Sequence, residues 1–196
     1  MISGRMGRKY ELKKRAERQA ETRRRIVEAA IDLHGRVGPA RTTVSAIADR
    51  AGVQRHTFYR HFPDTRSLYM ACSGFYLEQN PIPDPAPWRA IGDPQKRLRR
   101  GLADLYAYYE RNERMFFNSI RDAEVDPTTA EVQALRFAPA LSAAFDVLGQ
   151  GLGNGRRRMA LLRLALDFKT WRSLAVDSGL DPKEAAAAMA AAIRCA

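Results

Sequence analysis

The stretch SAIADRAGVQRHTFYRHF, Ser45–Phe62, limits how this chain can fold more than any other. An apolar stripe of Val44, Ile47, Ala48 and Ala51 recurs at helical spacing, stops at Gly52, and gives way to arginine, histidine and tyrosine. Thr43 is a suitable N-cap, and Gly52 can take the left-handed conformation that closes a helix and turns the chain sharply. The helix so bounded has barely two turns and cannot persist alone in water, so it must pack on neighbours. Val53 plugs the corner, and a second short helix runs from about Gln54 to His61. Phe62-Pro63-Asp64 ends it, because proline disfavours a helical conformation in the residue before it.

The second helix has two unlike sides. At about 100° per residue, Arg55, Tyr59, His56 and Arg60 share one side, while Phe58, Phe62 and His61 share the other. The aromatic back can pack on the Val44/Ile47/Ala51 stripe, which leaves a basic front. Two readings stay open here: a solvated face on a structural corner, or a face that meets an acidic ligand. An α-helix fits the major groove of B-DNA, where arginine can grip guanine with two hydrogen bonds.

Charge bears on that choice. The chain has 196 residues and a net charge of +11. Residues 1–66 hold 16 Lys/Arg against 7 Asp/Glu, and the rest holds 17 against 15. A basic first third is therefore joined to a nearly neutral remainder, as expected of an electrostatic docking module attached to a different module. The front of the second helix is then expected to meet a polyanion.

Along the chain every patterned segment reads as helical. Arg5–Arg18 carries seven basic and two acidic residues, and is either a disordered arm or an extension of the helix that follows. It either contacts DNA or serves as a solubilising tail. Ile26, Ala29, Ala30, Leu33 and Val37 mark that first helix. Asp64 caps a helix from Thr65 to about Leu77. Five prolines between Pro81 and Pro94 predict a stiff extended connector and a domain boundary. Beyond it, Leu98, Leu102, Leu105 and Tyr109 set a long amphipathic helix, and Met115, Phe116, Phe117 and Ile120 a shorter one. Asp126-Pro127 opens another, which Pro139 either kinks or splits. GQGLGNG, Gly149–Gly155, reads as a flexible interhelical loop. Leu161, Ala165, Phe168 and Trp171 predict one helix after it, and Asp181, Pro182 and Glu184 start a final alanine-rich one.

The stretch TTVSAIADRAGVQRHTFYRHFPDTRSLY, Thr42–Tyr69, resembles the DNA-binding signature of the TetR family of bacterial transcriptional regulators. The resemblance is clear over about Ala20–Phe75. It implies an all-α fold, with an N-terminal three-helix helix-turn-helix DNA-binding domain followed by a larger helical ligand-binding and dimerisation domain. The expected divisions are a basic arm at 1–19, the helix-turn-helix domain at 20–66, a connecting helix and proline-rich linker at 67–94, and a regulatory domain at 95–196.

The resemblance also implies roles. Thr43, Ser45, Thr57 and Tyr59 hold phosphates. Gln54, Arg55, His56 and Arg60 face base edges or flanking backbone, with Arg55 the leading specificity residue. Many family members carry a phosphate-binding lysine just after the F-P-x turn; here Thr65 stands there, and the role passes to Arg66 beside it. The family's usual small-molecule pocket would be lined by Tyr106, Tyr109, Phe117, Phe168 and Trp171, and would suit an aromatic or greasy effector. A homodimer through the two C-terminal helices, reading a palindromic operator, completes the expectation.

Other classes find little support. There is no HExxH, no G-x-x-x-x-G-K-[ST] and no GxSxG, so neither a catalytic nor a metal site is expected, and no cofactor is implied. Cys72 and Cys195 lie far apart without metal-type spacing, as free thiols of a reducing cytoplasm would. The longest run without charge, Ser67–Leu77, is too short to span a membrane. The alternatives kept are a DNA-binding regulator without a small ligand and a helical protein-interaction adaptor.

Overall fold

Thr43 does cap the first helix of the corner. In the computed structural model, which describes residues 3–196 and side chains from Tyr10 onward, its Oγ1 accepts the Ala46 N–H at 3.1 Å. Helices α1 (Ser3–Val37), α2 (Val44–Ala51), α3 (Arg55–His61) and α4 (Thr65–Gln79) come first. After them come α5 (Ala86–Arg89), α6 (Pro94–Arg111), α7 (Glu113–Ala123) and α8 (Pro127–Gly149). The chain ends with α9 (Arg156–Leu166), α10 (Phe168–Arg172), a π-helical turn at Ser173–Asp177, and α11 (Pro182–Cys195). The described residues contain no strand.

Two units emerge. The first holds the residues up to Glu78 together with Asn118–Val132, and the second holds Gln79–Phe117 and Gln133–Ala196. One boundary falls between Glu78 and Gln79, just before the prolines, and the other two fall inside α7 and α8, where the sequence pattern suggests none.

In the first unit, Ile26, Val27, Ala29 and Ala30 of α1 close on Ile47 and Ala51 of α2 and on Phe58 and Phe62 at α3. Leu68, Tyr69 and Cys72 of α4 and Val132 of α8 complete this core. Gly52 adopts φ 64° and ψ 42°, and Val53 N–H returns to Ala48 O at 2.9 Å, so the corner turns where a side chain would strain it. The stretch expected as an arm at 1–19 is, from Ser3 onward, the beginning of α1; Met1 and Ile2 lie outside the described residues. Beyond Gly7 it has no helix breaker and is rich in strong helix formers, so it continues the turn set by the buried Ile26 face.

His34 is buried and meets Tyr69 edge to face at 5.2 Å. Desolvation pushes its pKa down to about 4, against a smaller opposite pull from Asp122. The folded pKa is below the unfolded one, so the stability due to the neutral ring is full above about 6.5 and drains away as pH falls towards 4. The stability difference between wild type and His34→Gln should narrow by about 2 kcal/mol between pH 7 and pH 5. A constant difference would show that the ring charges in place without penalty.

The second unit revises three expectations. The proline-rich connector is folded: Trp88 is buried, and its Nε1 donates to Asp104 Oδ2 at 2.8 Å. Burying an indole in that stretch outweighs its tendency to stay extended. The glycine-rich loop is pinned. Arg97, itself buried, donates to Gln150 O and to Ile91 O, and Arg158 donates to Leu152 O and Ile193 O.

The helix expected through Leu161–Trp171 breaks at Asp167 (φ −77°, ψ 134°), whose carboxylate caps α10 at Lys169 N–H. The carbonyls loosened by that break, at Ala165 and Leu166, accept the buried hydroxyls of Tyr106 and Tyr109 at 2.8 and 2.7 Å. Pro139 sits inside α8 without splitting it. The final helix starts with the expected capping box of Asp181 and Glu184. Its Ala185, Ala186, Met189, Ala190 and Ile193 are buried, and it packs along α6. Among the described residues, no helix is long and apolar enough to cross a membrane.

Candidate nucleic-acid interface

The interface grows from the two-sidedness of α3. Phe58 and Phe62 are buried, at 3% and 0% exposure, while Tyr59 is 46% exposed. Gln54, Arg55, His56 and Arg60 are exposed too, so an uninterrupted polar and cationic front stands on an apolar base. The Tyr59 ring leans edge-on against Phe58 at 5.5 Å, which holds its body while its surface stays open. Thr57 is half-buried, with Oγ1 3.2 Å from His56 Nε2. His61 lies to the packed side. Desolvation, then Arg60 and Arg23, lower its pKa.

Thr43 and Ser45 are exposed at the start of α2. Since Thr43 Oγ1 accepts a backbone N–H, its hydroxyl proton points to use as a donor, which suits a phosphate oxygen.

One residue that the sequence pattern did not single out is Arg23 of α1. Its guanidinium lies 4.1 Å above the Phe62 ring and donates from Nη1 to His61 O at 2.9 Å. It thus closes the C-terminal end of α3 with a positive charge, where the helix dipole favours one. Arg23 and Arg60 also line an open cleft of about 280 Å3 with Gln19, Ala20 and His61. A lone arginine 38 residues upstream gives no sequence signal of this contact.

The loop between α1 and α2 is held by a second group absent from the sequence reading. Asn118 Nδ2 donates to Gly35 O at 2.8 Å, and Arg121 Nη2 donates to Val37 O at 2.8 Å, satisfying carbonyls that the end of α1 leaves open. Asp122, buried on α7, accepts Ala40 N–H at 2.9 Å with Oδ2 and Arg121 Nε at 2.8 Å with Oδ1. Gly38, at φ 98°, lies where a Cβ would overlap that carboxylate.

Arg66 does not stand free beside α3. Its Nε and Nη2 grip both oxygens of Glu131, with Nε at 3.0 and 3.2 Å and Nη2 at 2.9 Å. Their mutual hydrogen bond raises the arginine pKa and lowers that of the carboxylate, so each keeps the other charged.

The five residues expected to line a ligand pocket part company. Tyr106, Tyr109, Phe168 and Trp171 are all buried and packed ring against ring; Tyr109 lies 5.5 Å from Phe168 and 6.0 Å from Trp171. Phe116, not selected from the sequence, joins this cluster at 5.4 Å from both Tyr109 and Phe168. Burial raises the pKa of both tyrosines. Phe117 is instead 40% exposed, beneath the Arg172 guanidinium at 4.6 Å. Adjacent helical residues differ by about 100°, so Phe116 and Phe117 cannot both face the core.

Comparison with known proteins agrees with this geometry. Residues 26–72 match the family of bacterial regulatory proteins, tetR family. The HTH-type transcriptional repressor KstR of Mycolicibacterium smegmatis is 30% identical over 97 residues, covering 50% of this chain and 48% of the repressor. The chain thus spans about half the length of that relative. Two solved structures share the fold. The TetR family transcriptional regulator PfmR of Thermus thermophilus aligns with TM-score 0.60 at 21% identity, over 87% of this chain and 97% of that one. The transcriptional regulator FadR of Bacillus subtilis, in complex with stearoyl-CoA, aligns with TM-score 0.60 at 14% identity, over 86% and 96%. Capped α2, the glycine corner and the two-sided α3 all lie within the residues that match the tetR family of bacterial regulatory proteins.

Proposed function

We propose that this chain is a homodimeric DNA-binding transcriptional regulator, a repressor released from a palindromic operator by a small aromatic or hydrophobic ligand. The observation that carries the DNA-binding part is α3, where Arg55, His56, Tyr59 and Arg60 are exposed while Phe58 and Phe62 are buried behind them. Arg55 reads a base edge in the major groove, with Gln54, His56 and Arg60 beside it. Thr43, Ser45, Thr57 and Tyr59 hold backbone phosphates and fix the register.

One such helix reads too few bases for a unique site, so a two-fold pair of chains sets two of them about 34 Å apart. Exposed Ala187, Ala188 and Ala192 on α11, with Leu164 of α9, offer small and apolar surface for that pairing.

Ligand control draws support from the aromatic cluster. Trp171 Nε1 is buried there without a hydrogen-bond partner, a donor that an entering acceptor would satisfy. FadR, which shares the fold, was solved with stearoyl-CoA, so that molecule is a first probe. A regulator without a small ligand is the second reading, favoured by the closure of Tyr109, Phe168 and Trp171 on one another.

Selection from random duplexes tests the function. An enriched palindrome with half-sites one helical turn apart is the expected result, and no enrichment would remove the reading. Arg55→Ala should then cost about 1–3 kcal/mol on the selected site and relax preference at one base pair. Tyr59→Phe should instead weaken all sequences alike. Uniform weakening by Arg55→Ala would take base reading away from that residue.

A further inference from the structure

We infer that the Glu131 carboxylate and a DNA phosphate compete for one guanidinium, that of Arg66, so that Glu131 sets how tightly this chain holds a duplex. The inference rests on the DNA-binding reading above and adds the residue that opposes it.

Three observations carry it. Arg66 lies in the first turn of α4, just past the turn that ends α3, in the basic part of the chain. The carboxylate of Glu131 takes its Nε and Nη2 together, through three contacts of 2.9 to 3.2 Å. A guanidinium has two such two-pronged edges, Nε/Nη2 and Nη1/Nη2; with the first taken and its charge neutralised by the carboxylate, Arg66 gives a phosphate less than a free guanidinium would. Finally, the pair is open to water, with side chains 55% and 47% exposed. Such exposed pairs are weak, so a phosphate embedded in a polyanion can displace the carboxylate.

Asp64, the other acid nearby, is committed elsewhere, since its Oδ1 accepts Ser67 N–H at 2.7 Å to cap α4. Glu131 comes from α8, whose residues from Gln133 onward belong to the second unit. Arg66 and Glu131 both belong to the first unit.

The test is a double-mutant cycle on the full chain. The probes are a random-sequence duplex of about three helical turns and the selected duplex, titrated between about 50 and 200 mM salt. Glu131→Gln should tighten both roughly two- to fivefold. Arg66→Ala should weaken both and lower the salt slope by about 1. In the Arg66→Ala background, Glu131→Gln should change nothing. Equal tightening in the two backgrounds would reduce Glu131 to one negative charge among many and overturn the inference, as would no tightening in either. Circular dichroism on each variant verifies that the helices persist. Should wild type bind no duplex, the DNA-binding reading falls and this inference with it. Should wild type bind but the cycle show no coupling, only the inference falls.

Discussion

Asp122→Ala is expected to remove about 3 kcal/mol from the stability of the first unit, the low end for breaking a buried ion pair because Arg121 is partly exposed. Asp122 is 2% exposed. Without it, Ala40 N–H loses its acceptor, and Arg121 keeps its contact with Val37 O but loses its countercharge. The α1–α2 loop would then lose this tie to α7, while Asn118 and Arg121 still hold the end of α1 at Gly35 O and Val37 O. Asp122→Asn keeps an acceptor for Ala40 N–H and should cost roughly half as much. Urea unfolding followed by far-UV circular dichroism measures the loss. Trp88 and Trp171 both belong to the second unit, so tryptophan fluorescence shows separately whether that unit is affected. A loss below about 1 kcal/mol in Asp122→Ala would mean that the loop holds its shape without the carboxylate.

The contrast between Thr43 and Asp122 explains what was legible in the sequence. Thr43, Gly52, Pro63 and Asp64 act on backbone within three or four residues, so their chemistry can be read from spacing alone. The core stripe and the front of α3 follow from the same local periodicity. Asp122 meets Ala40 across 82 residues and Arg66 meets Glu131 across 65, and no local pattern encodes such pairs.

For the same reason the two unit boundaries inside α7 and α8 have no counterpart in the sequence pattern. Prolines reveal where the backbone is stiff, but Asn118–Val132 joins the first unit through contacts with distant residues. The aromatic cluster lies between these cases. Composition announced many rings, and spacing put Tyr106 and Tyr109 on one helix face. That Asp167 would break a helix and hand two carbonyls to their hydroxyls depended on tertiary packing.

The front of α3 can be presented only if its back is held, and Phe62 is where that dependence is sharpest. Its ring is fully buried, lies 5.9 Å from Phe58, and carries the Arg23 guanidinium on its face. Its own N–H caps α3 at Phe58 O. Phe62→Ala should therefore cost about 3–5 kcal/mol, the transfer term plus the cavity it leaves. It should also weaken duplex binding beyond what the folded fraction accounts for, because Arg23 loses the surface that directs it to His61 O and a seven-residue helix has little stability of its own. Phe62→Leu separates the two effects. It keeps most of the volume, so the stability loss should be smaller, while the flat face under Arg23 is gone. Binding to a random-sequence duplex, corrected for the folded fraction, should then rank wild type above Phe62→Leu and Phe62→Leu above Phe62→Ala. If all three bind alike after that correction, α3 keeps its orientation without the ring, and the anchored-back account of the interface fails.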